Sequence, residues 1–450
     1  MRILHYALGF PPYRTGGLTK YCTDLMLEQA EQGNEVSLLW PGEMRIHVKK
    51  TEIKKRKAWN GIGSFEIINP LPVPLDEGIV DIDAYTTAVD EGIYKEFLKA
   101  NKPDVIHIHS LMGLHKELIV VANKLGIRTL FTSHDYFGIC PKVTLYHDGA
   151  VCDDDHDCSD CVRCNQTALS LKKIAAVQSP IYRKVKDTAI VKVMRKRHRQ
   201  EFFDDAADTM NEMVETGKDA SDYRKLRQYY VSMLEMMDVI HFNSSVSKKV
   251  YERYIHPKNS AVVSITHRDI QDHRHRKDFH HEKLRITYLG PAKPFKGFPF
   301  LIGVLDRLWE EKTHNFELHL YSKAPVNRPY ITHKQNGYPY SQLEEIFDTT
   351  DLLVVPSQWY ETFGFTVLEA LSYGVPVLLA VSVGAKDLVA YMIPQMVAED
   401  SESFEKVFYE SVCHRNVLEQ WNKEICSTEI DTMQRHMNKI NDLYKMEQDS

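Results

Sequence analysis

Apolar positions along the 450-residue chain follow two periods. Short runs of aliphatic and β-branched residues predict buried strands, and apolar residues spaced three or four apart predict helices. The predicted helices are Leu18–Gln32, Lys116–Leu125, Phe300–Glu311, Ser341–Phe347 and Phe363–Ser372. The predicted strands are Arg2–Leu8, Glu35–Leu39, Val105–Ile108, Thr129–Thr132, Val239–Phe242, Leu284–Leu289, Phe316–Tyr321, Leu352–Val355 and Val375–Leu379.

The alternation of strands and helices runs twice along the chain and predicts an α/β protein of two doubly wound, Rossmann-like domains. We expect residues 1–275 and 283–415 to form the two domains, and 416–450 to be a helix that returns to the first. In such sheets ligands bind at the carboxyl ends of the strands. Two facing domains would therefore enclose a cleft.

Three segments interrupt this pattern. Residues 140–164 form a cysteine-rich loop, and residues 166–236 are charged and predict a helical insertion in the first domain. The polar stretch 267–281 contains five histidines and is interpreted as a solvated linker between the domains.

Charge and composition narrow the function. A net charge of −6 gives no general case for nucleic-acid binding. There is no apolar run of about 18 residues, the length needed to cross a membrane. The first residues, MRILHYALGFPPYRTGG, place two prolines where a signal peptide needs its apolar region, so a cytoplasmic protein is expected.

Two glutamates separated by seven residues mark the second domain. Glu361 precedes a glycine-containing turn, and Glu369 lies in the helix that follows. Free backbone N–H groups at a helix start suit a phosphate, and carboxylates can accept hydrogen bonds from sugar hydroxyls. A solvated helix face with a coincidental spacing is the alternative.

The stretch Glu361-Thr-Phe-Gly-Phe-Thr-Val-Leu-Glu369-Ala is similar to the E-x7-E motif of retaining glycosyltransferases of family 4, which have the GT-B fold. The flanks Val354-Val-Pro-Ser357 and Gly374-Val-Pro-Val377 match as well. Three further motifs occur earlier in the chain, in the order that the family has them. Gly16-Gly17 resembles the family's glycine loop, His134 its cleft histidine, and Lys296-Gly297 its phosphate loop.

The resemblance implies transfer of a sugar, with retention, from a nucleotide diphosphate sugar, with a UDP-sugar as the leading donor. The first domain would lie on the acceptor side, and the acceptor would be a surface polysaccharide, a lipid-linked glycan or a glycoprotein. The catalytic residues implied are His134, Glu361 and Lys296, without a catalytic metal. The nucleotide-sugar site implied comprises Gly16, Gly17, Lys293, Lys296, Thr362, Phe363, Gly364, Phe365 and Glu369.

One position departs from the family pattern. The family usually carries an arginine directly after the glycine of the phosphate loop, and this chain has Pro291, with Lys293 as a substitute cation. A catalytically silent GT-B partner of another transferase is therefore an alternative function, and a nucleotide-sugar epimerase is a weaker one.

The cysteine-rich loop carries Cys152, Cys158, Cys161 and Cys164, with Cys140 upstream. Thiolates at this spacing can share one structural zinc ion. Disulfides, free thiols and an iron–sulfur cluster are the alternatives. The aspartates between the cysteines predict an exposed loop rather than core.

The insertion contains the basic stretch 181–199, which has eight lysines and arginines and one aspartate. Its apolar residues share one helical face, which suits an anionic membrane surface. Peripheral attachment to the inner face of a membrane and a helix packed on the first domain are both open.

Overall fold

The computed structural model describes residues 1–45, 50–74, 78–152, 156–186, 188 and 218–446. Most of the predicted basic helix (187 and 189–199) lies outside the described residues. Residues 189–217 of the insertion lie outside them too.

The N-terminal domain is built on one mainly parallel sheet, in the order β10-β9-β6-β5-β1-β2-β4-β3. A short antiparallel pair, β7 and β8, lies apart from it. The strands are β1 (Arg2–Tyr6), β2 (Glu35–Pro41), β3 (Glu52–Trp59), β4 (Ile62–Ile68), β5 (Val105–Ile108), β6 (Arg128–Ser133), β7 (Tyr146–His147), β8 (Ala150–Val151), β9 (Val239–Phe242) and β10 (Ser260–Val262).

The edge hairpin of β3 and β4 has no counterpart among the predicted elements. Its strands are antiparallel, and they are joined through Asn60 and Gly61, which both adopt positive φ, 46° and 84°. Asn-Gly is the strongest short sequence signal for such a turn.

Helices cover both faces of this sheet. They are α1 (Gly17–Glu31), α2 (Glu91–Asn101), α3 (Glu117–Lys124), α4 (Ser159–Cys164), α5 (Leu171–Val177), α6 (Pro180–Val185), α7 (Ala220–Glu235) and α8 (Ser245–Tyr251). Their apolar faces bury aromatic residues such as Tyr94, Tyr223 and Tyr230 in the core of this domain.

The C-terminal domain has a second sheet, wholly parallel, in the order β13-β12-β11-β14-β15-β16. Its strands are β11 (Leu284–Tyr288), β12 (Phe316–Leu320), β13 (Ile331–His333), β14 (Leu352–Val355), β15 (Val377–Ala380) and β16 (Val397–Ala398). The helices are α9 (Phe298–Glu310), α10 (Leu343–Asp348), α11 (Phe365–Ser372), α12 (Ser401–Cys413), α13 (Arg415–Ser427) and α14 (Met433–Lys445). The predicted class, two doubly wound Rossmann-like domains, is confirmed.

The last helix belongs to the other end of the chain. Helix α14 packs on α1 of the N-terminal domain. Gln29 donates a hydrogen bond of 2.9 Å to the hydroxyl of Tyr444, and Tyr21 and His436 are joined at 2.8 Å. The first domain therefore includes the last described helix of the chain.

The two domains touch directly. Ser244 Oγ donates to the carbonyl of Thr362 at 2.6 Å, and Ser245 Oγ donates to Asp387 at 2.5 Å. The interpretation of 267–281 as a solvated linker is wrong at its start, because His267 is fully buried.

Candidate functional site

The loops after β11 and β14 bring Lys296 and Glu361 together at the carboxyl ends of the strands. Lys296 Nζ lies 2.8 Å from Glu361 Oε1, and Ser357 Oγ donates to Glu361 Oε2 at 2.7 Å. Burial raises the pKa of this carboxyl, but the charge of Lys296 and the hydrogen bonds outweigh it, so the pKa lies below its usual range. Glu361 is therefore an anion at neutral pH.

Gly297 allows this approach. Its φ of 73° favours glycine, and a Cβ at this position would lie 1.8 Å from the carbonyl oxygen of Pro356. The turn that carries Lys296 can therefore lie directly against the segment that leads to Glu361. The ring of Trp359 packs over Lys296, with Nζ 4.9 Å from its centroid.

The turn after Glu361 presents backbone donors. Gly364 adopts φ 108° and caps α11, which begins at Phe365 rather than at the predicted Phe363. Within the described residues, the N–H groups of Thr362, Phe363, Gly364 and Phe365 donate no hydrogen bond. The start of a helix with free N–H groups is a ready anion site.

The glycine loop after β1 faces this helix start. A Cβ on Gly17 would lie 3.3 Å from the ring of Phe365. Gly16 has φ 111° and caps α1. The structure therefore places Gly16 and Gly17 opposite the E-x7-E motif across the cleft.

Glu369 lies apart from the Lys296–Glu361 pair. Its side chain is buried in α11 and accepts from His267 Nε2 at 3.2 Å. The ring of His267 packs edge-on against Tyr340 and Phe365, at centroid distances of 5.4 and 5.3 Å. His267 contacts the motif, and its place in a polar stretch gave the sequence analysis no sign of this.

The phosphate loop carries two lysines and a proline. Lys293 caps the turn that contains Lys296. Pro291 is exposed, and its carbonyl accepts from the Tyr288 hydroxyl at 2.8 Å. Since Pro291 brings no charge, the cation placed on Glu361 is Lys296.

His134 lies on the side of the cleft that the N-terminal domain forms, called here the N-terminal wall. Its carbonyl accepts from Thr362 Oγ1 at 2.9 Å, which ties β6 to the motif. Burial lowers the pKa of His134 to about 3, and His241 adds to the effect. The imidazole is therefore neutral.

Behind His134 lies a chain of buried histidines that the sequence analysis did not identify. His134 Nε2 is 3.3 Å from His109 Nδ1, and His109 Nε2 is 2.9 Å from His5 Nδ1. His5 Nε2 lies 2.7 Å from Gln29 Oε1. Burial lowers the pKa of His5 to about 4 and that of His109 well below its usual value.

The chain continues through the last helix. The Tyr444 hydroxyl lies 2.8 Å from His107 Nδ1, and His107 Nε2 lies 2.7 Å from Thr132 Oγ1. Thr132 in turn is 2.9 Å from His241 Nδ1, and His241 Nε2 is 2.7 Å from the carbonyl of Val263. Burial lowers the pKa of His107 and His241, so these rings are neutral as well.

The carbonyl of Val263 fixes the direction of every bond in this chain. It can only accept, so His241 Nε2 donates and, in the neutral ring, His241 Nδ1 accepts from Thr132. The same reasoning passes step by step through His107, Tyr444, Gln29, His5 and His109. His134 must then donate from Nε2, which leaves a lone pair on its Nδ1.

Two sets of possible metal ligands overlap with the chain. His5, His107 and His109 have ligand atoms within 4.8 Å of one another, and so do Cys22, His109 and His134. Hydrogen bonds already use both ring nitrogens of the first set. A metal ion there would have to displace them.

The cysteine-rich loop differs from its prediction in two respects. Among the described residues, no three of its cysteines have sulfur atoms within 4.8 Å of one another, so the predicted zinc ligands are not brought together. Cys158 and Cys161 are buried in the core of the N-terminal domain rather than exposed. Cys140, Cys161 and Cys164 are not joined in disulfides in the described part of the chain. Burial raises the pKa of Cys164 to about 12.

Two family models match the chain, one on each domain. Residues 15–150 match the model described as Glycosyltransferase Family 4, and residues 269–406 match Glycosyl transferases group 1. No curated protein sequence matches the chain.

Solved structures share its fold. Sucrose-phosphate synthase from Thermosynechococcus elongatus is 13% identical with a TM-score of 0.56, over 99% of this chain and 98% of its own. Anabaena Alr3699/HepE in complex with UDP is 12% identical with a TM-score of 0.55, over 99% and 100%. WaaG, a glycosyltransferase involved in lipopolysaccharide biosynthesis, is 13% identical with a TM-score of 0.51, over 98% and 99%.

No helix in the described part of the chain has the length and hydrophobicity to span a bilayer. Each domain of the chain matches one glycosyltransferase family model, and the solved structures share the fold over nearly their whole length. The chain is therefore a glycosyltransferase of the GT-B fold, with a family 4 N-terminal domain and a group 1 C-terminal domain.

Proposed function

We propose that the protein transfers a sugar from a UDP-sugar to an acceptor hydroxyl with retention at the anomeric carbon. The observation that carries this proposal is the Lys296–Glu361 ion pair beside the unused N–H groups of Thr362 to Phe365. It combines a cation and backbone donors for a diphosphate with a carboxylate for a sugar.

Charge develops on the diphosphate as the bond to the anomeric carbon breaks. Lys296, Lys293 and the N–H groups at the start of α11 would stabilise it, because fixed donors aimed at developing charge give the largest catalytic gains. The acceptor oxygen forms the new bond, and its proton moves to the departing phosphate oxygen. Glu361, being ionised, would orient the donor sugar and not serve as a general acid.

The rest of the donor site follows from position. Gly16 and Gly17 let the first domain approach the diphosphate closely, since neither carries a side chain. Glu369 would hold the ribose hydroxyls, in exchange for part of its contact with His267. His134, with its Nδ1 lone pair, would accept a hydrogen bond from a sugar hydroxyl at the acceptor side.

Thermal unfolding in the presence of nucleotides tests the donor. Ligands that bind only the native state raise the melting temperature, so UDP and UDP-sugars should raise it more than GDP- or dTDP-sugars. Glu369→Gln should weaken UDP binding by about 1–3 kcal/mol in calorimetry. Equal UDP affinity in this variant would place the ribose elsewhere.

Retention is tested on the product. With a UDP-α-sugar and a simple glycoside acceptor, proton NMR of the new bond should show the α anomer. A β product would reject the retaining mechanism while leaving the donor site untouched.

The cysteine-rich loop would be a structural zinc site, formed by Cys152, Cys158, Cys161 and Cys164 with Cys140 as a possible fifth ligand. Zinc binds thiolates and would lower their pKa, which burial in this loop raises for Cys164. Elemental analysis of protein purified without added metal should find about one zinc per chain. Absence of zinc together with disulfides detected by mass would reject the site.

A glycan on a lipid would bring the enzyme to the inner face of a membrane through the stretch 181–199. In the described part of this stretch, Ile181 is 76% exposed beside the basic residues of α6. Co-sedimentation with anionic vesicles should exceed that with neutral vesicles and weaken with salt. Equal and negligible binding to both would mean that the acceptor reaches the cleft from solution.

A further inference from the structure

The loop between β1 and α1 contains a cation, Arg14, that forms no ion pair with the residues that the structure describes. Arg14 Nε is buried and has no hydrogen-bond partner among the described residues. The ionisable groups with the largest effect on it are Tyr13, Tyr182, Tyr6 and a second cation, Arg183, with no carboxylate among them. Burial first, and then the charge of Arg183, lower the pKa of Arg14.

The surroundings of Arg14 are rich in positive charge. The guanidinium carbon of Arg183 lies 5.3 Å from the ring centroid of Tyr13, that of Arg14 lies 5.2 Å from it, and Lys186 Nζ lies 4.4 Å from it. Tyr13 is thus surrounded by three cations, and Trp40 packs beside it at a centroid distance of 6.0 Å.

The acidic groups beside Arg183 are already shared with other arginines. Glu66 is fully buried and accepts from Arg183 at 2.6 Å and from Arg56 at 2.5 Å. Glu43 also lies 3.9 Å from Arg183 and is paired with Arg45. Two carboxylates therefore face three arginines before Arg14 is considered. A half-buried cation next to a second cation is unfavourable unless an anion joins them.

The position of this cluster is also informative. It follows the carboxyl end of β1, where ligands of doubly wound sheets bind. Gly17, which faces Phe365, is three positions after Arg14, a stretch of at most about 11 Å of extended chain. The cluster therefore lies beside the donor site but on the other domain.

We propose that Arg14, with Arg183 and Lys186 around Tyr13, binds an anionic group of the acceptor, of the phosphate type. This inference rests on the proposed function, since it names the acceptor class of the same cleft. The planar guanidinium matches phosphate oxygens in two parallel hydrogen bonds. The phosphate could belong to a soluble sugar phosphate or to a lipid headgroup.

Inorganic phosphate is the first probe, measured by calorimetry in the presence of saturating UDP so that the donor site is occupied. Wild-type protein should bind phosphate, and Arg14→Gln should weaken it at least tenfold. Arg14→Lys, which keeps the charge but loses the fork, should fall between them. Unchanged phosphate binding in Arg14→Gln, or none in the wild type, would overturn the proposal.

A matched control is Arg128→Gln. Arg128 also has buried nitrogens without a partner, but it begins β6, at the opposite end of the sheet from the cleft. Phosphate binding should not change in this variant. Equal loss in both variants would mean non-specific anion binding and would also overturn the proposal.

The same variants have a readout without ligand. Arg14→Gln should melt at the same or a higher temperature than the wild type in phosphate-free buffer, because it removes repulsion from Arg183, yet it should lose stabilisation by phosphate. A variant that melts lower and keeps that stabilisation would show a purely structural arginine.

The source of the phosphate is decided by two further probes. Glycerol 3-phosphate in solution and vesicles containing phosphatidic acid are each compared between the wild type and Arg14→Gln. Arg14-dependent binding of either probe supports the site and identifies its source, and Arg14-independent binding of both contradicts it. UDP binding, read separately, tells failure of this site from failure of the proposed donor site.

Discussion

The two walls of the cleft use opposite electrostatics. The C-terminal wall carries an ion pair, Lys296 and Glu361, with a pKa lowered so that the carboxylate stays charged. The N-terminal wall ends in His134, a neutral ring backed by further neutral rings. In the proposed mechanism, the charged side would face the diphosphate and the oriented neutral groups would face sugar hydroxyls.

The two walls also differ in how far apart in the sequence their residues lie. The ion pair depends on two loops and one glycine close to the strand ends. The histidine chain depends on residues from the first strand to the last helix, from His5 to Tyr444. A local substitution should therefore affect one wall strongly, and a distant one should affect the other.

The largest effect is expected from removing Lys296, the cation of the C-terminal, charged wall. Lys296→Ala should reduce turnover by about 10²–10³, because it removes a fixed positive group from the developing diphosphate charge. Steady-state kinetics with a UDP-sugar measure it, with Lys323→Ala, an exposed lysine of the same domain, as control. Full turnover in Lys296→Ala would assign the phosphate contact to Lys293.

A double variant separates chemistry from stability. Lys296→Ala leaves Glu361 as an unpaired buried carboxylate, which destabilises the fold. Adding Glu361→Gln should restore the melting temperature without restoring turnover. If turnover returned with stability, the pair would be structural only.

The N-terminal, neutral wall ends in His134, and its hydrogen-bonded chain can be tested far from the cleft, at Tyr444. Tyr444→Phe deprives both His107 Nδ1 and Gln29 of a partner, and we expect a loss of about 1–3 kcal/mol in the free energy of unfolding. Nitrogen NMR of labelled histidines should show His134 protonated on Nε2 in the wild type and a mixture of tautomers in the variant.

Tyr223→Phe is the control for Tyr444→Phe. This buried tyrosine donates to the carbonyl of Ile79 at 2.9 Å and lies outside the histidine chain. It should lose stability without any change in the His134 signals. A wild-type His134 protonated on Nδ1 would contradict the direction derived from Val263.

The smallest expected effect is the contribution of each single buried histidine to the pH dependence of the free energy of unfolding. The pKa values of His5 and His241 are lowered to about 4, so below their unfolded pKa of about 6.5 the unfolded chain binds more protons. The free energy of unfolding should therefore fall with pH between about 6.5 and 4, by at most about 1.4 kcal/mol per pH unit for each histidine.

One neighbouring group acts in the opposite direction. Burial raises the pKa of Asp135 to about 6, so this carboxyl takes up its proton first in the folded state and offsets one histidine in the same window. Urea unfolding at pH 7 and pH 5 measures the slope. His241→Gln, whose amide can make the same two hydrogen bonds, should reduce it, whereas exposed His314→Gln should not. An unchanged slope in His241→Gln would show that this ring is charged in the folded state.

The sequence predicted the fold, and it singled out the two residues that form the ion pair, because both signals are local. Strand and helix periods repeat within short windows, and Glu361, Lys296 and their glycines belong to contiguous motifs. The edge hairpin was missed although Asn60-Gly61 carries its turn signal, since β3 is rich in lysine and lacks an apolar run.

The neutral wall could not be predicted in the same way. His5, His107 and His241 lie on different strands, and only the parallel order of β1, β5, β6 and β9 sets them side by side. His267 lies in a polar stretch, and its burial depends on α11 packing over it. Contacts between residues so distant in sequence leave no local pattern.

The position of α14 has a consequence for how the protein is made. The chain leaves the ribosome from its N-terminus, and domains commonly fold in that order. Here His107 gains its hydroxyl partner, and the amide nitrogen of Gln29 gains its acceptor, only when Tyr444 arrives, after the whole second domain has been made. The second domain can thus complete its own sheet before the first domain receives α14.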